Sequence, residues 1–227
     1  MASKSVESTM TVQLPSKVKA SIIIPTIDDN PMTLQHIDFK KLEEDNIELI
    51  VVKDRGWRNA SRTRNIGAAV AKGEVLCFID DDATFNFNEL INVINEISEE
   101  NDKVFYWSAL PHILIVKSEI FFKIGGYDER YPLRGSEDTE IRERLKRAGL
   151  ELKTLNIELK HLREQAYDKR RRITVNKALT WTYIEYGTYL LRKIIFRKNP
   201  IEFARRIIWL IEWMFIKRLR KRSIFYY

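Results

Sequence analysis

From Ala20 to about Leu155, short β-branched apolar runs alternate with stretches whose apolar residues recur at helical spacing. Few folds accept that alternation. Strands separated by helices need right-handed crossovers, which give a mostly parallel sheet with helices on both faces. The pattern predicts strands at Ser21-Ile22-Ile23-Ile24-Pro25, Ile47–Val52 and Glu74–Ile79, the first stopped by its proline. It predicts helices over Met32 to about Glu44, Asn59–Lys72, Phe85–Glu99 and Glu137–Ala148. Asn59 or Ser61 is placed to cap the second helix, Gly73 to leave it in a left-handed exit, and Gly149 to stop the last. Lys103–Ala109 and Ile113–Lys117 read as further strands, Ser118–Ile124 as a short helix, and Leu150–Leu159 as a final strand leading to His161.

In such sheets a ligand lies beyond the carboxyl ends of the strands. Three of those ends are acidic: Thr26-Ile27-Asp28, Asp54, and Asp80-Asp81-Asp82 after the apolar run Val75–Ile79. Adjacent carboxylates repel one another, so a cation or a donor-rich ligand would compensate them. A solvated acidic turn would carry the same three aspartates, but acidic ends on three strands describe a crevice.

Charge divides the 227 residues unevenly. Residues 169–227 hold 16 Lys+Arg and 3 Asp+Glu, whereas residues 1–168 hold 23 and 29. An acidic body and a basic tail imply two tasks. The single cysteine, Cys77, lies within an apolar run and reads as a core thiol in a reducing compartment. Residues Met1–Ser16 are polar and lack a secretory apolar stretch, and residues 1–18 read as a flexible start. No stretch approaches the about 18–20 uninterrupted apolar residues of a transmembrane helix.

Five motifs occur in one order: Ser21–Thr26, Ser61-Arg62-Thr63-Arg64-Asn65-Ile66-Gly67, Phe78–Asp82, Gly125-Gly126-Tyr127-Asp128-Glu129 and Gly135-Ser136-Glu137-Asp138. Over about residues 20–165 the chain resembles the family-2 glycosyltransferases of the GT-A fold. The resemblance implies a Rossmann-like α/β catalytic domain over residues 1–168, dependent on a nucleotide-sugar donor and on Mn²⁺ or Mg²⁺. It implies Asp82 as metal ligand, with His161 completing the metal or diphosphate site. It places Pro25, Thr26, Asp28, Asp54, Asp80 and Asp81 against the nucleotide-sugar and Arg64 against its diphosphate. Asp138 would be the general base and Glu137 would orient acceptor or base, giving inversion at the anomeric carbon. Lys53-Asp54-Arg55-Gly56-Trp57 departs from the family pattern after the second strand, so the base stays open between UDP- and GDP-sugars. Trp57 is a stacking candidate for that base, and His36 and His112 read as structural.

Residues 169–227 form basic, aromatic-rich amphipathic helices in this reading, one over Asn176–Phe196 and one starting at Pro200. Ile207–Ile211 and Trp213–Ile216, flanked by Lys and Arg, suit a helix lying in the headgroups of an anionic leaflet through residues 200–222. The enzyme would then sit at the cytoplasmic face of the membrane and use a lipid-linked or glycan acceptor. Packing on the catalytic domain and a homo-oligomer interface are the other uses open to this helix. Nucleic acid is not indicated, because the aromatics lie within an aliphatic stripe. Two alternatives to sugar transfer remain: a metal-dependent nucleotidyltransferase and a catalytically silent membrane-bound adaptor with the same fold.

Overall fold

The computed structural model describes residues 17–99, 103–109, 112–131, 137–162, 177, 180–181, 200–220 and 222–225. Its centre is a six-stranded sheet in the order β2-β1-β3-β6-β5-β7. These are β1 (Ala20–Thr26), β2 (Ile47–Lys53), β3 (Val75–Ile79), β5 (Val104–Ala109), β6 (His112–Lys117) and β7 (Glu151–Thr154). β1 pairs parallel with β2 and β3, and β5 with β7. β6 runs antiparallel to β3 and β5. The sheet is mixed and mostly parallel. A second, two-stranded sheet joins β4 (Ala83–Phe85) to β8 (Leu159–His161).

Period-two alternation sends neighbouring residues to opposite faces, and the core divides accordingly. Ile22, Ile24, Cys77, Ile79, Ile113 and Ile115 pack on one face with Leu42 of α1 (Phe39–Glu44) and with α3 (Phe87–Glu99). Ile23, Leu76, Phe78, Leu114 and Val116 pack on the other with α2 (Ala60–Val70), α4 (Ser118–Lys123) and α5 (Glu137–Arg147). α3 docks through Phe87, Leu90, Ile91, Ile94 and Ile97, one stripe at helical spacing. Cys77 is fully buried, and burial drives its thiol pKa upward.

Several boundaries differ from the sequence expectation. β1 runs through Pro25 to Thr26. The helix expected over Met32 to Glu44 is two pieces, a 3-10 turn at Met32–His36 and α1. Ile37 between them is extended, and the Asp38 carboxylate starts α1 afresh by accepting the Lys41 N–H at 3.1 Å. α3 starts at Phe87 because residues 83–85 join β8 instead. The strand expected from Leu150 to Leu159 divides into β7 and β8, which belong to different sheets. Asn59 caps α2, its side chain accepting the Arg62 N–H at 3.1 Å. Gly73 does not supply a left-handed exit. A Cβ there would lie 2.4 Å from the Ala20 carbonyl carbon, so its glycine is required by close approach to β1. Gly149, expected to stop the last helix, follows α5 with a positive φ of 88°.

The C-terminal helix α6 spans Pro200–Leu219. The expected helix over Asn176–Phe196 lies outside the described residues, apart from Lys177, Thr180 and Trp181. Trp181, Trp209 and Trp213 form a small apolar cluster with Tyr131. Packing on the α/β body therefore accounts for one side of α6. Contacts from residues 200–225 cross the boundary drawn at residue 168: Glu129 N–H donates to the Arg222 carbonyl at 2.6 Å, and Ser223 Oγ donates to that of Gly125 at 2.8 Å. Among the described residues, no helix is long and apolar enough to cross a membrane.

Candidate active site

Parallel pairing brings the carboxyl ends of β1, β2 and β3 to one edge, where Thr26 lies opposite Lys53. Because β6 is antiparallel to β3, its first residue, His112, arrives at the same edge. The Asp80 N–H donates to the His112 carbonyl at 3.1 Å, and the His112 N–H donates to Asp80 Oδ2 at 3.0 Å. The three aspartates therefore leave β3 from a fixed point. Thr33 holds the turn behind them, donating from Oγ1 to the Asp80 carbonyl at 2.7 Å and accepting the Ala83 N–H at 2.8 Å.

The triplet points in three directions. Asp80 Oδ1 accepts Arg64 Nη2 at 2.8 Å. Asp81 Oδ2 accepts Thr26 Oγ1 at 2.7 Å, and Thr26 Oγ1 in turn accepts the Asp28 N–H at 2.9 Å. Asp82 Oδ1 lies 3.1 Å from His161 Nδ1. The pairing of β4 with β8 makes that last contact, setting Ala83 opposite His161, while Leu162 N–H donates to the Asp82 carbonyl at 2.7 Å. Residues 79 positions apart thus become one carboxylate–imidazole pair.

Asp82 and His161 fit a divalent cation. A hard cation with phosphate partners often takes only one or two protein side chains and completes its shell with phosphate oxygens and water. The two side chains are 13% and 16% exposed, sheltered yet reachable. Among the described residues no group of three or more His, Cys, Asp or Glu is gathered for a metal.

Arg64 organises the other side of the edge. Its side chain is only 5% exposed, with Nη2 on Asp80 and Nη1 on Glu137 Oε1 at 3.3 Å. Its guanidinium lies 5.2 Å from the Tyr127 ring centroid. Burial opposes its charge, but Asp80 and the other acidic neighbours outweigh that and raise its pKa. Its terminal nitrogens are engaged by two carboxylates, so Arg64 acts as a clamp between Asp80 and Glu137. Tyr127 OH meets His112 Nε2 at 2.9 Å in the interior. Burial and the Arg64 charge push the His112 pKa down to about 3, so the imidazole is neutral.

Asp138, at the start of α5, is the most perturbed carboxyl group on this edge. Burial and the charge of Glu137 raise its pKa to about 7, with Asp80 adding to the rise. The Thr139 N–H, 2.8 Å from Asp138 Oδ1, and Arg64 oppose it. Asp138 as a whole residue is half-buried. Gly135 and Ser136, the first half of this motif, lie outside the described residues.

The edge does not hold every expected residue in the same way. Asp54 turns back on its own loop, accepting N–H bonds from Gly56, Trp57, Arg58 and Asn59 at 2.7–3.2 Å. Its carboxylate orders the approach to α2. Trp57 packs under Arg62, whose guanidinium lies 5.0 Å from the ring centroid. Pro25 is buried in β1, while Asp28 is half-buried at the strand end. His36 lies behind the edge, 3.4 Å from Thr84 Oγ1. His112 and Tyr127 are the residues that sequence reasoning missed as part of the site. His112 reaches the site because β6 runs antiparallel to β3, a direction that the sequence pattern does not carry.

Two family models match the chain: one described as glycosyl transferase family 2 over residues 53–113, and one described as the N-terminal domain of galactosyltransferase over residues 92–166. No curated protein matches the sequence. Similar solved structures include the catalytic domain of Drosophila β1,4-galactosyltransferase 7 in complex with xylobiose. It is 20% identical with a TM-score of 0.52, the match covering 69% of this chain and 79% of that one. A mutant of that enzyme in complex with manganese, UDP-Gal and xylobiose is 17% identical with a TM-score of 0.51 and the same coverage, 69% and 79%. The Pyrobaculum calidifontis mannosyltransferase PcManGT, in complex with GDP-Man and Mn²⁺, is 14% identical with a TM-score of 0.58 over 86% of this chain and 74% of that one.

Proposed function

We propose that this chain is a family-2 glycosyltransferase of the GT-A fold, metal-dependent and inverting, that uses Asp138 as its base. The donor is a UDP- or GDP-sugar, the nucleotides named with the similar galactosyl- and mannosyltransferases. The acceptor is lipid-linked or a glycan, met at the cytoplasmic face of the membrane. The observation that carries this reading is Asp138, with a pKa raised to about 7 beside the acidic strand edge.

Asp82 and His161 would hold Mn²⁺ or Mg²⁺, which when bound offsets the charge on the departing diphosphate. Thr26, Asp28 and Asp81 form one linked set at the end of β1 and would bind the nucleotide. Pro25 shapes the strand that presents them, and Asp54 contributes by ordering the loop over residues 54–59. Asp80, clamped by Arg64, would contact the ribose. The acceptor hydroxyl gives its proton to Asp138 as its oxygen bonds to the anomeric carbon. The bond from that carbon to the phosphate oxygen breaks, and the nucleoside diphosphate leaves with the electron pair. Attack from the face opposite the leaving group inverts the centre. A carboxylate whose pKa lies near 7 can accept that proton at neutral pH and still return it to water.

The test is Asp138→Asn assayed with UDP- and GDP-sugars and Mn²⁺. Transfer to a hydroxyl acceptor is expected to be lost while binding of the nucleotide, measured by calorimetry, is kept. Wild-type turnover in the variant would remove Asp138 from the chemistry. Release of pyrophosphate from a nucleoside triphosphate by the wild type would instead identify a nucleotidyltransferase.

A further inference from the structure

Helix α6 is apolar on two sides, and the body of the protein covers one of them. Trp209 and Trp213, one turn apart, are buried, and Ile216 packs beside them. Trp213 stacks on Trp181 at 4.9 Å, meets Tyr131 at 5.3 Å and carries the Arg130 guanidinium 5.0 Å from its centroid. The far side is different. Ile208, Ile211 and Phe215 form a stripe at helical spacing, 63%, 49% and 61% exposed. Ile201, Met214 and Leu219 extend it and are also exposed.

Arg205, Lys217, Arg218 and Arg220 are exposed around this stripe. Over residues 204–220 the one acid is Glu212, and its carboxylate is paired with Lys177. Glu202, at the start of the helix, is a second acid in its sequence, but among the described side chains of the helix Glu212 is the one acid, and an exposed apolar stripe with cations around it calls for an occupant that is apolar inside and negative at its surface. A second copy of this chain fits poorly: a two-fold antiparallel pairing centred on Ile211 would set Arg205 against Lys217.

We propose that the outward face of α6 docks on an anionic lipid bilayer. The helix lies in the headgroup layer, with Ile208, Ile211 and Phe215 toward the acyl chains and the arginines and lysine on lipid phosphates. This deepens the membrane location proposed above and rests on it for its biological setting, though not on the transfer chemistry. The covered face gives the docking a second consequence. Trp213 is held by Arg130 and Tyr131, in the same loop as Tyr127, and Tyr127 contacts both Arg64 and His112. A bilayer seated on α6 therefore stands in a fixed relation to the acidic edge, where a lipid-linked acceptor would present its reacting group.

The experiment is sedimentation of the full chain with vesicles of phosphatidylcholine alone and of phosphatidylcholine mixed equally with phosphatidylglycerol. The wild type is expected to pellet with the anionic vesicles and to stay in the supernatant with the neutral ones. Ile208→Asp with Phe215→Asp should reduce pelleting by about tenfold or more. Arg218→Glu with Arg220→Glu, which leaves the apolar stripe intact, should do the same and guards against misfolding of the first variant. Wild type that stays in solution with anionic vesicles overturns the proposal. So does a lipid-free dimer, seen by light scattering, that the Ile208 and Phe215 substitutions convert to monomer. Calorimetry with UDP- and GDP-sugars and Mn²⁺ in vesicle-free solution separates the two readings: protein that pellets but binds no sugar nucleotide supports docking and overturns the transferase assignment.

Discussion

Around Arg64 one guanidinium serves Asp80 and Glu137, with Asp138 close by; around Arg144 three guanidiniums serve two carboxylates. The second cluster is saturated. Arg130 makes two parallel bonds to Asp128 at 2.9 and 2.6 Å, and Arg144 two to Glu140, both 2.6 Å. Arg222 adds a third bond to Glu140 at 3.1 Å. Asp128 and Glu140 are fully buried, and Arg144 also donates to the carbonyls of Ile124 and Gly126. Burial lifts the pKa of Asp128 as it does that of Asp138, but the oxygens of Asp128 are enclosed by arginines. The difference is stoichiometric. Excess arginine makes an anchor, and excess carboxylate leaves one acid with its pKa raised to about 7.

The sharpest way to break this contrast is Asp138→Asn. It should lower transfer to a hydroxyl acceptor on the order of 10³-fold in kcat/KM, as expected for loss of a positioned general base. Glu140→Gln strikes the saturated cluster, leaving Arg144 and Arg222 short of a buried counter-charge. It should cost about 3 kcal/mol of stability by denaturant titration, while the pH profile of the surviving folded enzyme stays in place. Arg64→Met tests the clamp. Arg64 holds the Asp138 pKa down, so its removal should move the acidic limb of the kcat/KM profile from about 7 to higher pH. A limb that stays in place would separate Arg64 from the base.

The smallest effect is on stability. The Asp138 carboxyl group has a higher pKa in the folded chain than its ordinary 3.8. Folding therefore favours its protonated form, and an ionisation penalty grows as pH rises from about 4 through about 7. Asp138→Asn escapes that penalty. It should melt a few degrees above the wild type at about pH 8 and match it more closely at about pH 4, with roughly 2–4 °C for each kcal/mol recovered.

Periodicity and strand-end chemistry made the sheet and the acidic edge legible, because β-branched runs followed by aspartates state both where a strand is and where it stops. The meeting of Asp82 with His161 was legible from motif order. Its cause was not, since β4 and β8 are three residues each and such short strands leave little periodic signal. His112 was hidden for a related reason: the direction of β6 decides whether its first residue reaches the site, and alternation does not encode direction. Gly73 illustrates a different limit. A glycine after a helix reads as a left-handed exit, whereas this one is set by a strand some fifty residues away. The tail carried a true ambiguity. An aliphatic, tryptophan-bearing helix suits either protein packing or a lipid surface, and α6 presents a separate face suited to each.

The Trp181–Trp213 stack also has an optical consequence. The two indoles lie at 20° to each other with centroids 4.9 Å apart, close enough for their excited states to couple. Such a pair gives a paired band in ultraviolet circular dichroism that depends on mutual orientation and vanishes when the rings separate. Because one ring belongs to α6 and the other lies outside it, the band is a built-in reporter of whether that helix is seated, and needs no label.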